Sequence, residues 1–297
     1  MISDYANGFE ERQVSARDGL LLSARDYRPQ PAIDAGRLPV VCLPGLSRNA
    51  RDFHQLALLL SRHPTEPRRV VALDYRGRGR SAWDPDKTHY SLPVESDDVL
   101  SVVTALGIEH GVFIGTSRGG LILHLLSALR PAMIRATVLN DIGPAIENAG
   151  LAHIKAYLSR GERPRSFEDA ARILQDMHGR AFPRLAEQDW RDMAHAVYAE
   201  KNGKLVADFD PAITEQLKAI DLAQPLPTLW EQFTGLTAMP MLAIRGEHSL
   251  LLSQQTFLEM ARRHPRLTAV TAPGQGHTPV LHHTDVFGAL LHFLRSL

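Results

Sequence analysis

The chain has 297 residues, 44% of them hydrophobic, and its 33 basic and 33 acidic side chains cancel. That length buries one large α/β core, or a core with a smaller insertion, and the scattered charge excludes the basic stripe of a nucleic-acid binder or of an acidic-membrane binder. The lone Cys42, inside the apolar run Pro39-Val-Val-Cys-Leu43, excludes an internal disulfide and reads as a small core residue. No run approaches the roughly 18 apolar residues of a membrane span, and Met1 to Glu10 has neither a basic start nor an apolar stretch, so a soluble, cytoplasmic protein is expected.

Taken in chain order, Glu11 to Ala16 and Leu20 to Tyr27 flank Asp18-Gly19, which predicts a β-hairpin closed by a two-residue turn. Apolar strands follow at 39–43, 69–74, 111–115, 135–140, 240–244 and 267–271, with helical patterns between most of them. Strands alternating with helices imply parallel pairing through right-handed crossovers, and near-continuous apolar strands imply a sheet covered on both faces. In such sheets ligands bind at the carboxyl ends of the strands. The unusual residues fall at those ends: Pro44-Gly-Leu-Ser-Arg-Asn49, Tyr75-Arg-Gly-Arg-Gly-Arg-Ser81, Asp141-Ile-Gly-Pro144, Gly246-Glu-His-Ser249 and Gly274-Gln-Gly-His277. Arg76-Gly-Arg-Gly-Arg80 is too short and unrepeated to serve as an RNA-binding tract and directly follows a strand.

Residues 145–238 read differently, with helical patterns at Ser166 to Met177, Leu185 to Ala199 and Pro211 to Ile220 and no strand. Ser166 followed by Asp169 resembles a capping box, and Trp190, Met193, Val197 and Tyr198 mark one face of the next helix. A helical cap at 145–238, inserted into a core formed by 1–144 and 239–297, is therefore expected. Trp190, Trp230 and Phe233 are candidates either for pocket wall or for core. The chain closes with a helix capped by Thr284 and burying Val286, Leu290, Phe293, Leu294 and Leu297.

The chemistry is carried by Gly115-Thr-Ser-Arg-Gly119, a Gly-x-Ser-x-Gly sequence between a strand and a helical pattern. Ser117 on such a turn exposes its hydroxyl, and because a hydroxyl is a weak nucleophile it needs a base. Among 14 histidines, His277 follows the last strand and is the candidate. His282 and His283 are close by, but adjacent histidines rarely converge on one ion and no His-Glu-x-x-His pattern exists, so neither a metal nor a cofactor is expected. The backbone N–H groups of Arg118, after the nucleophile, and of Leu46, in the loop after the 39–43 strand, are the candidate oxyanion donors.

These strand-end motifs, together with the elbow, resemble the α/β-hydrolase superfamily over nearly the whole chain, and in particular its bacterial esterase-like members with a helical cap. The resemblance implies a mostly parallel eight-stranded sheet with helices on both faces, a cap inserted after the sixth strand, and a Ser–His–acid triad. In similar proteins the loop after the seventh strand reads Gly-Glu-x-Ser-Asp and its Asp is the acid; here Leu250 stands in that place. Asp141, at the end of the sixth strand, is the preferred substitute, because some haloalkane dehalogenases of the superfamily carry their acid there. Glu247 is the alternative, and a structural Asp141 that caps a turn or pairs with Arg118 is the competing reading. The expected function is cofactor-independent hydrolysis of a small-molecule carboxylic ester through an acyl-enzyme on Ser117, with no nucleic-acid or membrane partner and an open oligomeric state. Carbon–carbon hydrolysis of a diketone ring-cleavage product and a non-catalytic ligand receptor are the alternatives.

Overall fold

A computed structural model describes residues 5–29 and 36–297. Met1 to Asp4, part of the N-terminal stretch considered above, lie outside the described residues. The strands are β1 (Glu10–Ser15), β2 (Leu21–Tyr27), β3 (Val40–Leu43), β4 (Val70–Asp74), β5 (Gly111–Thr116), β6 (Ile134–Asn140), β7 (Tyr198–Lys201), β8 (Lys204–Ala207), β9 (Met241–Gly246) and β10 (Leu267–Ala272). The α-helices are α1 (His54–Ser61), α2 (Leu92–Ala105), α3 (Arg118–Leu129), α4 (Asn148–Leu158), α5 (Phe167–His178), α6 (Glu187–Val197), α7 (Ala212–Lys218), α8 (Trp230–Leu236), α9 (Gln254–Arg263) and α10 (Thr284–Arg295).

Eight strands form one sheet in the order β1-β2-β4-β3-β5-β6-β9-β10. The pairs β1·β2 and β2·β4 are antiparallel, and every pair from β4 to β10 is parallel. The alternation of side chains along each strand builds a core on both faces. In β3, Val41 and Leu43 point into the cluster shared with α2, α3 and α9, whereas Val40 and Cys42 join the opposite cluster with α1 and α10. Cys42 is fully buried, and burial pushes its thiol up from its ordinary value. Among the described residues, no helix is long and apolar enough to cross a membrane.

Strand order reverses between β3 and β5, the point where a doubly wound sheet opens a crevice at its carboxyl edge. Leu43 sits in register with Gly115, so the loop after β3 and the turn after β5 leave the sheet side by side.

Several local expectations are corrected. The β1–β2 hairpin closes through three residues, since Ala16 N–H donates to Leu20 O (2.7 Å) and Gly19 takes the left-handed conformation (φ 90°) that ends a turn plus bulge. The segment 145–238 is not purely helical: β7 and β8 form an antiparallel hairpin around Asn202-Gly203, both with positive φ (52° and 68°), as a two-residue turn of this kind requires. This hairpin cuts the helix expected over 185–199 to α6 and moves Tyr198 onto a strand. Ser166 Oγ accepts from Asp169 N–H (3.2 Å), but the Asp169 carboxylate accepts from Arg165 N–H (2.9 Å), so half of the box forms. The last helix begins at Thr284 with His283 as its cap, and Leu297 lies beyond its end, exposed.

The segment between β6 and β9 has its own small core, in which Ala170, Leu174, Phe182, Trp190 and Ala194 pack together. Its base is drawn together where Leu229 N–H donates to Pro144 O (2.6 Å) and Glu147 N–H to Leu251 O (2.9 Å). Its far side is pinned to the loops at the carboxyl edge of the main sheet by Arg51, after β3, which bonds Asp208 (2.8 Å), and by Tyr90, before α2, whose hydroxyl donates to Asp210 (2.7 Å).

Candidate active site

The turn after β5 is built by close approach. A Cβ at Gly119 would lie 2.2 Å from the Leu43 carbonyl oxygen, and one at Gly115 would lie 2.6 Å from the Gly119–Gly120 backbone, so α3 can start this tightly against β3 and β5 only with glycine at both places. Ser117, between them, is held at φ 51°, ψ −114°, a region that costs a non-glycine residue about 1–3 kcal/mol. Its N–H donates to Asn140 O (3.1 Å) and its carbonyl accepts from Gly120 N–H (2.9 Å), so both neighbouring peptides are fixed while the side chain projects from the sheet edge.

His277 arrives from the loop after β10. The Ser117 hydroxyl lies 3.0 Å from its Nε2, and its Nδ1 lies 2.8 Å from Asp141 Oδ2. An ionised carboxylate only accepts, so Nδ1 carries the proton and Nε2 is free to accept from the serine. Asp141 is fully buried at the end of β6, with a positive φ of 54° and its N–H donating to Ile244 O (2.8 Å). Gly246 N–H donates to its Oδ1 (2.7 Å) and the Ser249 hydroxyl to its Oδ2 (2.6 Å). The structure thus joins Ser117, His277 and Asp141 in one chain of hydrogen bonds.

The other candidate acid does not join it. Glu247 accepts from Gly274 N–H (2.6 Å) and steadies the turn leading to His277. Leu250 points outward and is 55% exposed. The alternative pairing of Asp141 with Arg118 is not formed, because the Arg118 guanidinium bonds Glu95 (2.5 Å). Ser249 carries no role in the sequence reading, and its place in the motif that lacks the Asp is the one signal for it.

Leu46, Arg118, Ser117 and His277 all line one cavity of about 1430 Å³ between the sheet edge and the inserted segment. Among the described residues, neither Leu46 N–H nor Arg118 N–H donates to a backbone carbonyl. A Cβ on Gly45 would come within 3.8 Å of Ser117 Cβ, so the loop after β3 passes directly beside the hydroxyl. Tyr157, Met193 and Val206 of the inserted segment supply part of the opposite wall. Trp190 and Phe233 are core residues instead, 2% and 1% exposed, and Trp230 packs beside Phe233 at the edge of the main core.

Two further histidines face the cavity. Burial pushes His178 down to about 4, helped by nearby Arg48, and burial also lowers His282, so both stay neutral at physiological pH. Among the described residues, the one group of three ligand-type side chains is Asp18, Asp84 and His89, none of which lines this cavity, and there Arg76 Nη1 already bridges Asp18 and Asp84. Arg76 and Arg78 are both buried whereas Arg80 is exposed, so two of the three arginines of the tract face inward.

The fold and the motifs converge on one class: the chain belongs to the alpha/beta hydrolase family, whose pattern matches residues 40–290. It is 32% identical over 252 residues, spanning 81% of this chain and 82% of the relative, to a 3-hydroxybutyrate-oligomer hydrolase of Cupriavidus necator. A 2-(acetamidomethylene)succinate hydrolase of Mesorhizobium japonicum is 28% identical, over 78% of this chain and 79% of that one. The crystal structure of an alpha/beta hydrolase from Novosphingobium aromaticivorans superposes with a TM-score of 0.88 at 37% identity, covering 98% of this chain and 99% of the other. The chain is therefore a member of a superfamily of hydrolytic enzymes.

Proposed function

We propose that the protein is a serine hydrolase of carboxylic esters. The observation that carries this reading is the unbroken chain from Ser117 Oγ through His277 (3.0 Å and 2.8 Å) to Asp141. His277 Nε2 takes the hydroxyl proton as Ser117 attacks the ester carbonyl; Asp141 holds the ring in the Nδ1–H tautomer and stabilises the imidazolium that forms. The Leu46 and Arg118 N–H groups receive the developing oxyanion, and the positive end of α3 favours the same charge. His277 then returns the proton to the leaving alcohol, and water, activated the same way, releases the acid from Ser117.

The substrate class we infer is an ester of a short hydroxy acid, including its oligomers. The Cupriavidus necator relative supports it by its activity on 3-hydroxybutyrate oligomers. The cavity supports it by size, since 1430 Å³ exceeds the roughly 300–1,000 Å³ usual for a single small ligand. The receptor alternative rested on the absent acid at Leu250, and the bond between Asp141 and His277 withdraws that ground.

The test is labelling with a fluorophosphonate and turnover of short-chain nitrophenyl esters, hydroxybutyrate dimers and dienoate diketone acids, for wild type and Ser117→Ala. Wild type should label and cleave the esters, and Ser117→Ala should lose labelling and at least about 10⁴-fold in turnover. Full activity in Ser117→Ala ends the serine mechanism, and cleavage of the diketone acids alone replaces the ester reading.

A further inference from the structure

Behind the two N–H groups assigned to the oxyanion lies a buried ion cluster with no part in the proton transfers above. Glu95, in the first turn of α2, is fully buried. Its Oε1 accepts from Arg78 Nη1 (2.6 Å) and its Oε2 from Arg118 Nε (2.5 Å). Arg78, also fully buried, donates through Nε to the Leu46 carbonyl (2.8 Å) and through Nη1 to the Arg76 carbonyl (2.7 Å). Its Nη2 has no hydrogen-bond partner, and the guanidinium lies over the rings of Tyr75 and Tyr90, 5.8 Å and 5.6 Å from their centroids.

Burying such a cluster is a poor way to gain stability. Desolvation of two guanidiniums and a carboxylate offsets most of their attraction, and apolar side chains of similar volume do as well or better. Burial indeed disfavours the Arg78 cation, with Glu95 as the chief opposing influence. What the cluster does achieve is connection. One end grips the carbonyl of Leu46, on an irregular loop that passes over Gly45; the other end is the side chain of Arg118, the residue after the nucleophile. These are the two residues whose N–H groups must sit together around one oxygen, within about 2.7–3.1 Å of it.

We propose that Glu95 is a positioning residue: by bridging Arg78 and Arg118 it sets the spacing between the Leu46 and Arg118 N–H donors. This rests on the ester-hydrolase reading and deepens it. The bridge needs a carboxylate, because a glutamine has a single carbonyl oxygen and turns its NH₂ against one of the two guanidiniums. Either orientation frees one end, and two uncompensated cations then repel each other.

The test compares wild type with Glu95→Gln by ester kinetics and by affinity for an alkylboronate, which becomes tetrahedral on the nucleophile and places an oxygen where the oxyanion forms. Glu95→Gln should lower kcat by about 10- to 100-fold, short of the roughly 10²–10³-fold loss of a whole donor, with KM changed by less than about threefold. Boronate affinity should fall by the same factor as kcat/KM, which a loss of general stability does not produce. Unchanged kcat and boronate affinity in Glu95→Gln overturn the proposal. So does tighter boronate binding, because removing the carboxylate leaves two cations and a purely electrostatic role would then strengthen anion binding. Should Glu95→Gln not fold, Arg118→Met cuts one arm while keeping the Arg118 N–H and the Arg78–Glu95 pair; it should show the same pattern at smaller size, and wild-type kinetics there also overturn the proposal. A wild type that neither cleaves esters nor takes the fluorophosphonate removes the underlying reading and the clamp with it, whereas an active wild type beside an unimpaired Glu95→Gln removes the clamp alone.

Discussion

At the end of β6 the chain turns sharply through Asp141, in a left-handed conformation, and sends the carboxylate to His277; at the end of β9, its neighbour in the sheet, Gly246 to Leu250 sends no carboxylate there but donates two hydrogen bonds to the one that β6 supplies. The sheet order explains why either strand can do this. His277 follows β10 and must reach Ser117 at the end of β5, so its ring crosses above the ends of β9 and β6, and an acid on either strand lies beneath it. Here the β9 loop surrounds the acid with donors: Arg245 holds that loop by donating to Leu252 O (2.8 Å), and Ser249 Oγ both donates to Asp141 (2.6 Å) and accepts from Leu252 N–H (3.1 Å). Donors on an ordered loop keep the buried carboxylate aimed at the ring, which the imidazolium of the reaction requires.

The contrast between the two strand ends is open to direct attack. The largest effect is expected for Asp141→Asn, which keeps shape but offers an amide to His277 Nδ1 and favours the wrong tautomer; ester kcat should fall by about 10⁴-fold. If kcat in that variant stays within about tenfold of wild type, the β6 carboxylate is not the acid. An intermediate effect belongs to Ser249→Ala, which removes one of the two donors that the β9 loop gives Asp141. Its kcat should drop by about 10- to 150-fold, in line with the roughly 1.5–3 kcal/mol of a hydrogen bond to a charged group. An unchanged pH–rate profile and kcat there would reduce the β9 loop to scaffolding. The smallest effects are expected at Leu250, where similar proteins carry the acid, and at the alternative candidate Glu247. Glu247→Gln keeps an acceptor for Gly274 N–H and Leu250→Asp alters an exposed position, so both should retain kcat within about threefold, with urea unfolding of Glu247→Gln shifted by about 1 kcal/mol or less. A Glu247→Gln loss as large as that of Asp141→Asn would invert the comparison.

Legibility followed locality. Gly115-Thr-Ser-Arg-Gly119 and Gly45 could be read because a tight turn and a close approach demand glycine at fixed offsets, whatever the rest of the chain does. The Asn202-Gly203 turn is equally local, but β7 and β8 are four residues each and sit between strong helical patterns that mask them. The sequence favours Asp141 over Glu247 only through the resemblance, since both stand at strand ends and their roles depend on which side chain lies under an imidazole, 136 residues away in the case of Asp141. Trp190 and Phe233 could be called apolar from sequence but not assigned to core or cavity, because periodicity gives a helix face and not what that face meets.

The sequence by itself determined the main strands, their parallel pairing through intervening helices and the motifs that carry Ser117 and His277, because strand periodicity and turn chemistry are properties of a few consecutive residues. The tertiary structure alone decided which carboxylate meets His277, which loop feeds it hydrogen bonds, and that Glu95 joins Arg78 to Arg118 across 17 and 23 residues of chain. Those contacts are set by the order and register of strands within the sheet and by the packing of α2 against α3, and no local pattern records the distance between side chains that only folding brings together.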